Sequence, residues 1–195
     1  MSPDGCKYIA CRTSPVDDGG VTHLILMCGL PGSGKTTRAR SMAPGWSALR
    51  LCPDEAMVAL GFDLSDEQAR DRLELMQWDL AQELLGLGTN VVIENGFWGR
   101  SQRDLARLRA RELGVAVHLD YDSVGIDELW TRLQRRNAGL SPRTATVTRE
   151  QLVEWERLFQ PPSDDELALF DPPPAACPTP PSRIRTSCRG TMKRA

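Results

Sequence analysis

Apolar positions along this chain follow two alternating rhythms. Residues 21–27 (Val-Thr-His-Leu-Ile-Leu-Met) form a nearly unbroken apolar, β-favouring run, and 37–43 beyond it reads as a helix. Residues 46–52 fit a second strand, halted by Pro53. Ser65-Asp-Glu-Gln68 is a capping-box signature. It opens a long helix with Ala69, Leu73, Met76, Leu80, Leu84 and Leu87 on one face at spacings of three and four, ended by Gly86 and Gly88. Residues 90–95 predict a short buried strand, Ser101 with Asp104 the cap of another helix, and 115–121 a further strand. A helix is expected over 126–137 with Leu129, Trp130 and Leu133 inward, and another over 149–159 behind the Thr148/Gln151 capping box. Residues 163–166 start a last short turn. Strands alternating with helices imply an α/β fold, a mostly parallel sheet covered by helices on both faces.

The two ends lack this rhythm. Residues 1–20 are expected to form a flexible arm, 21–170 the folded domain, and 171–195 a disordered tail, Pro-rich and then basic. The five basic residues Arg183, Arg185, Arg189, Lys193 and Arg194 lie in that tail. Without them the chain keeps 19 basic against 26 acidic residues, a net charge near −7. A body that acidic disfavours nucleic acid as a partner, because phosphates are normally met by a basic face. No apolar run approaches the roughly 20 residues that span a bilayer, so no membrane role is expected and the expected location is the cytoplasm. Cys28 and Cys52 close two predicted strands as small buried thiols. Cys6, Cys11, Cys177 and Cys188 fall in the flanks, and none of the six shows a zinc-like C-x-x-C spacing.

Against this frame, Gly29-Leu30-Pro31-Gly32-Ser33-Gly34-Lys35-Thr36 carries the chemistry. It matches G-x-x-x-x-G-K-[ST] between a predicted strand and a predicted helix, the context this phosphate-cradling loop requires. Glycines let successive backbone N–H groups turn inward, and the following helix points its positive end at the anion. Lys35 is suited to the β/γ-phosphates of ATP or GTP, Thr36 to Mg²⁺, and Thr37 completes the nucleotide-binding set.

Ligands of open α/β sheets gather at the carboxyl ends of the strands. Asp54 follows the second strand there, fit to act as a base on an acceptor hydroxyl, or to cap the helix holding Ala56 and Leu60. Glu94 could help hold Mg²⁺ through water or be a buried acid paired with a base. Asn95 is placed to orient a ligand or a turn, with Arg100 close behind it. Phe97 and Trp98 read as an acceptor-pocket wall or as core, and Asp120 and Asp122 flank the fourth strand's end. Arg132 and Arg136 share one helical face with Arg135 beside them, either a solvated surface or the arginines of a lid near 137–148 that includes Arg143.

With these motifs in this order, the chain resembles the AAA_33-type P-loop kinases, a group that includes chloramphenicol phosphotransferase-like and polynucleotide 5′-kinase-like proteins. The resemblance spans roughly 22–167. It rests on the phosphate loop, Cys52-Pro-Asp-Glu55, Val91-Val-Ile-Glu-Asn-Gly-Phe-Trp98 and Leu129-Trp-Thr-Arg-Leu-Gln-Arg-Arg-Asn137. It implies a P-loop NTPase three-layer sandwich, Asp54 as the acid that activates the acceptor hydroxyl, and Arg132 with Arg136 as lid arginines. Polynucleotide kinases tend to carry arginine just before that acid, where this chain has Pro53, and aspartate at the end of the third strand, where it has Glu94-Asn95. The expected activity is transfer of the γ-phosphate of ATP or GTP to a hydroxyl of a small-molecule acceptor, such as an antibiotic or nucleoside-like metabolite. The alternatives are a polynucleotide 5′-hydroxyl kinase and an NTPase switch acting on a protein partner.

Overall fold

The computed structural model describes residues 20–139 and 146–172. The expected arm over 1–19, the middle of the expected lid with Arg143, most of the tail, and Cys6, Cys11, Cys177 and Cys188 lie outside the described residues.

Four strands run in parallel: β1 (His23–Cys28), β2 (Leu49–Leu51), β3 (Val91–Gly96) and β4 (Ala116–Tyr121), in the order β2-β3-β1-β4. Between them lie α1 (Lys35–Met42), α2 (Pro53–Leu60), α3 (Glu67–Gly86) and α4 (Arg100–Glu112). After β4 come α5 (Ile126–Ala138), α6 (Arg149–Leu158) and the short α7 (Asp164–Leu167). β1 is central and shows why a buried strand reads as a continuous apolar run. Its alternate residues Leu24, Leu26 and Cys28 enter the core under α3 and α4, with Ala81, Leu85, Ala106 and Ala110. Ile25 and Met27 enter the opposite layer under α1, with Ala39 and Ala43. The fold is therefore an α/β three-layer sandwich, and all the sheet's crossovers are helical.

Several boundaries differ from the sequence expectation. The second strand covers only Leu49–Leu51, because Trp46 and Ser47 turn aside, Ser47 in the left-handed region at φ 48. Pro53 does more than halt it: as the first residue of α2 it starts a helix, where its missing N–H has no partner to lose. The cap of α3 is Asp66, which accepts from the Ala69 N–H at 2.9 Å, while Ser65 bonds to Asp63. The α4 cap is Gly99, whose N–H donates to the Gln102 side chain at 3.1 Å. The Thr148/Gln151 box of α6 forms as expected.

The largest correction concerns α3. Its buried row is Ala69, Leu73, Gln77, Ala81 and Leu85, while Met76, Leu80 and Leu87 are exposed and Leu84 is partly covered. The helix serves two neighbours in turn. Ala69 and Leu73 pack on Met57 of α2, and Ala81 and Leu85 pack on the sheet, so the buried row steps by four and drifts around the helix.

Candidate active site

Strand β1 ends at Cys28, and the next residues turn back over the start of α1. Gly29, Gly32 and Gly34 have φ of 135°, 88° and 87°, values that L side chains rarely adopt. A Cβ on Gly29 would meet Ser33 Oγ at 2.8 Å, and one on Gly32 would meet the Leu129 carbonyl oxygen and Leu133 side chain of α5, both at 3.1 Å. Glycine thus lets the loop close on itself and lets α5 sit directly against it. Leu30 packs among Leu129, Leu133, Val147 and Leu152, which ties the loop to α5 and α6.

Lys35, the first residue of α1, curls over the loop and donates to the carbonyl oxygens of Gly29 and Leu30 at 2.7 and 2.9 Å. Burial pushes its ammonium down to about 8, against the pull of Asp54, Cys28 and Glu94. Ser33 Oγ is buried with no partner among the described residues. Backbone nest, lysine and helix N-terminus together make a concave anion site in which the residues suit a triphosphate. Pro31 and Gly32 form the outer bend, and Thr36 and Thr37 follow in the first turn of α1.

A bulge in β3 shapes the neighbouring wall. Leu26 pairs with Ile93 and Cys28 with Gly96, so β3 has one residue more than β1 over this stretch and supplies both Glu94 and Asn95 there. Glu94 is buried and ion-paired to Arg50 of β2, which also grips Glu55 of α2. Arg40 of α1 completes the chain by pairing with Glu55 at 2.7 Å. Asn95 Oδ1 is buried without a partner among the described residues.

After Gly96 the chain passes through Phe97 at φ 44, a strained value for an aromatic residue. Arg103 of α4 holds it there, donating to the Phe97 and Trp98 carbonyl oxygens at 2.9 and 3.1 Å. Phe97 is 6% exposed and belongs to the core beneath the sheet. Trp98 instead faces the loop, its indole N–H on the Gly29 carbonyl oxygen and its ring 5.8 Å from that of Trp155. Arg100 is exposed at the start of α4, 3.5 Å from Asp104.

Asp54 occupies the first turn of α2, with 64% of its side chain exposed. It pairs with Arg70 of α3, and its charge acts on both Lys35 and Arg136. Arg136 lies in the row of α5 that continues from Leu129 and Leu133, the residues set against Gly32. Partial desolvation lowers its guanidinium while Asp54 raises it. Arg132 pairs with Glu128 on its own helix at 2.9 Å. Asp120 holds Arg38 at 2.6 Å, and that arginine also donates to the Ser33 carbonyl oxygen at 2.8 Å.

The charge of Asp54 thus reaches Lys35 and Arg136, and Glu94 and Arg132 are engaged in ion pairs. Sequence reasoning missed the partners: Arg38, Arg50, Arg70 and Arg103. A basic residue inside a strand, as Arg50 is, signals a buried acid to pair with. The other partners left no local signal.

Sheet order, glycine loop and the helix behind it define a P-loop NTPase fold. A model of the AAA_33 family, described as an AAA domain, matches residues 24–162, and the chain belongs to that family. No curated protein matches it. Among solved structures it is similar to a chain of the Pnkp1/Rnl/Hen1 RNA repair complex, at 20% identity and TM-score 0.59, over 73% of this chain. It spans only 45% of that chain's length. It is also similar to Chaetomium thermophilum Kti12 in complex with ADP-AlF3 (16% identity, TM-score 0.59, 76% of this chain and 86% of that one). A sugar kinase from a Janibacter species matches at 20% identity and TM-score 0.53, over 75% of this chain and 82% of that one. At these identities the likeness concerns the fold.

Proposed function

We propose that the protein is a phosphotransferase that moves the γ-phosphate of ATP or GTP to a hydroxyl of a small-molecule acceptor, such as an antibiotic or nucleoside-like metabolite. One observation carries this reading: the exposed Asp54 carboxylate sits within electrostatic reach of both Lys35 and Arg136. An exposed carboxylate whose charge reaches the phosphate-loop lysine and an arginine supplies the base and cations that in-line phosphoryl transfer needs.

In this reading the loop N–H groups and Lys35 hold the triphosphate. Asp54 takes the proton of the acceptor hydroxyl as its oxygen bonds to the γ-phosphorus. The bond from that phosphorus to the bridging oxygen breaks, and the nucleoside diphosphate leaves. Arg136 neutralises the charge on the transferring group, and Arg132 joins it on releasing Glu128. No group of three His, Cys, Asp or Glu side chains among the described residues could hold a metal. Thr36 through its hydroxyl and Glu94 through water would hold Mg²⁺, which would supply positive charge to the triphosphate. Asn95, Trp98 and Arg100 line the acceptor side, with Phe97 supporting them from the core.

The test is γ-labelled ATP or GTP with wild type and Asp54→Asn, over pools of hydroxylated antibiotics, nucleosides and 5′-hydroxyl oligonucleotides. We expect Asp54→Asn to lower kcat by about 10²–10⁴-fold with nucleotide affinity nearly intact, since a general base acts in the transition state. Transfer at the native rate by Asp54→Asn overturns the assignment. Label entering only the oligonucleotides would replace the acceptor class, and equal release of free phosphate by both proteins would favour a nucleotide switch.

A further inference from the structure

The side of α3 that bears Arg70, the partner of Asp54, also carries two polar residues left without a role above, Glu74 and Gln77. Spacings of four and three place all three in one row of the helix. Arg70 donates to Asp54 and, through a second nitrogen, to the Leu64 carbonyl oxygen at 2.9 Å. Glu74 is partly buried. Burial pushes its carboxyl up to about 7, opposed by Arg70 and reinforced by Asp71 and Asp54. Gln77 is 5% exposed, and its Oε1 has no hydrogen-bond partner among the described residues. Asn95 Oδ1, on the strand against which α3 packs, is likewise unpartnered.

A buried amide oxygen without a donor is unfavourable, so a ligand O–H or N–H delivered to it is favoured. This row and the strand beside it therefore offer acceptor atoms, the carboxyls of Asp54 and Glu74 and the amide oxygens of Gln77 and Asn95, and Arg70 within the row is already paired to Asp54. A phosphate or carboxylate brought against this row would meet the carboxyls of Asp54 and Glu74.

We propose that this row of α3 reads the acceptor, taking a hydroxyl-rich molecule without negative charge, a polyol or its amine-bearing counterpart, through the Glu74 carboxyl and the Gln77 amide oxygen. The inference rests on the phosphotransfer reading and narrows its substrate class. Neutral polyols satisfy the amide oxygens. An ammonium group in addition pairs with Glu74 and relieves the repulsion among Glu74, Asp71 and Asp54.

The test uses the full chain, γ-labelled ATP and three acceptor pools. These are uncharged polyols (sugars and nucleosides), amine-bearing polyols (amino sugars and aminoglycosides), and anionic ones (sugar acids, sugar phosphates and 5′-hydroxyl oligonucleotides). Label is expected in the first two pools and not in the third. Gln77→Leu, which keeps the volume and leaves no unpaired oxygen, is expected to fold and to raise the KM of the labelled acceptor about tenfold. Its kcat and its KM for ATP should stay near wild type. Glu74→Gln should weaken amine-bearing acceptors selectively. Label in the anionic pool, or an acceptor KM unmoved in both variants, overturns this inference alone. No label in any pool, with free phosphate released equally by wild type and Asp54→Asn, overturns the phosphotransfer reading and this inference with it.

Discussion

Trp98 donates its indole N–H to the carbonyl oxygen of Gly29 at 3.2 Å, and so binds the turn after β3 to the first residue of the phosphate loop. The same oxygen accepts from Lys35, and the Gly29 N–H donates to Gly96 at 2.9 Å. The turn and the loop are therefore one unit, and the shape of the nucleotide cradle depends on residues nearly 70 positions away in the chain.

Gly96 is the most constrained point of that unit. A Cβ there would lie 2.9 Å from Trp98 Nε1, at a backbone φ of 85°. Gly96→Ala is expected to destabilise the fold by about 1–3 kcal/mol and to weaken ATP binding with it, read from denaturant midpoints and calorimetric titration. Trp98→Phe, which removes the donor and part of the ring, should lose at least about 0.5–1.5 kcal/mol. A neutral Gly96→Ala would show that the turn is free to move away from the loop.

Lys35 makes nucleotide affinity depend on alkaline pH. Its ammonium lies at about 8 in the folded chain, while phosphate oxygens around it would favour the charged form. Above that value binding must take up a proton, so affinity falls as pH rises, by about tenfold per unit once the lysine is neutral. Titration calorimetry in buffers of different ionisation enthalpy should register the uptake above pH 8, and Lys35→Met should abolish it along with most of the affinity. Affinity that is flat from pH 7 to 10 would contradict this.

Arg103 and Glu166 form a two-stranded ion pair at 2.6 and 2.9 Å, and Arg103 is wholly buried. It joins α4 to α7 while the arginine's remaining donors hold Phe97 in its strained turn. Glu166→Ala leaves that guanidinium buried without its counter-charge, and we expect a loss of about 3–5 kcal/mol in urea unfolding. Replacing both, with Arg103→Met and Glu166→Leu, should recover much of it. If Glu166→Ala were as stable as wild type, the pair would not anchor α7.

His23 and His118 predict acid sensitivity. His118 Nδ1 lies 2.9 Å from the Asp171 carbonyl oxygen, which can only accept, so Nδ1 carries the proton and Nε2 is left to accept from His23 Nδ1 at 3.0 Å. Both rings are then neutral. Burial pushes both below the usual 6.5, with the mutual repulsion of the pair adding to the shift at His23 and Asp171 opposing it. Below 6.5 the unfolded chain therefore binds more protons than the folded one, and stability present above that pH is lost as the pH falls. Melting temperatures measured from pH 8 to 5 should fall, and His118→Gln should flatten the slope. An unchanged slope in that variant would place the acid sensitivity elsewhere.

The elements and the phosphate site were legible in the sequence because their signals are local. Residues 29–36 carry the backbone requirements of the cradle within eight positions, and the buried runs of β1 and β3 announce a parallel sheet. The buried row of α3 was not legible. Gln77 and Ala81 score poorly as apolar, yet they face inward because the first half of the helix must pack on α2 and the second on the sheet. The larger residues Met76 and Leu80 then point outward.

By itself, then, the sequence determined the α/β class, the glycine-rich phosphate-loop motif, and the places of Asp54 after the second strand and Glu94 near the end of the third. Turn conformation, strand burial and helix capping act over a few residues and are written where they act. Only the tertiary structure decided which charges meet: Arg50 with Glu94, Arg38 with Asp120, Arg70 with Asp54 and Arg103 with Glu166. Those partners lie from 16 to 82 residues apart. An ion pair is favoured by proximity in space, whatever the distance along the chain, and that proximity exists only once the sheet has ordered its strands and the helices have settled on it.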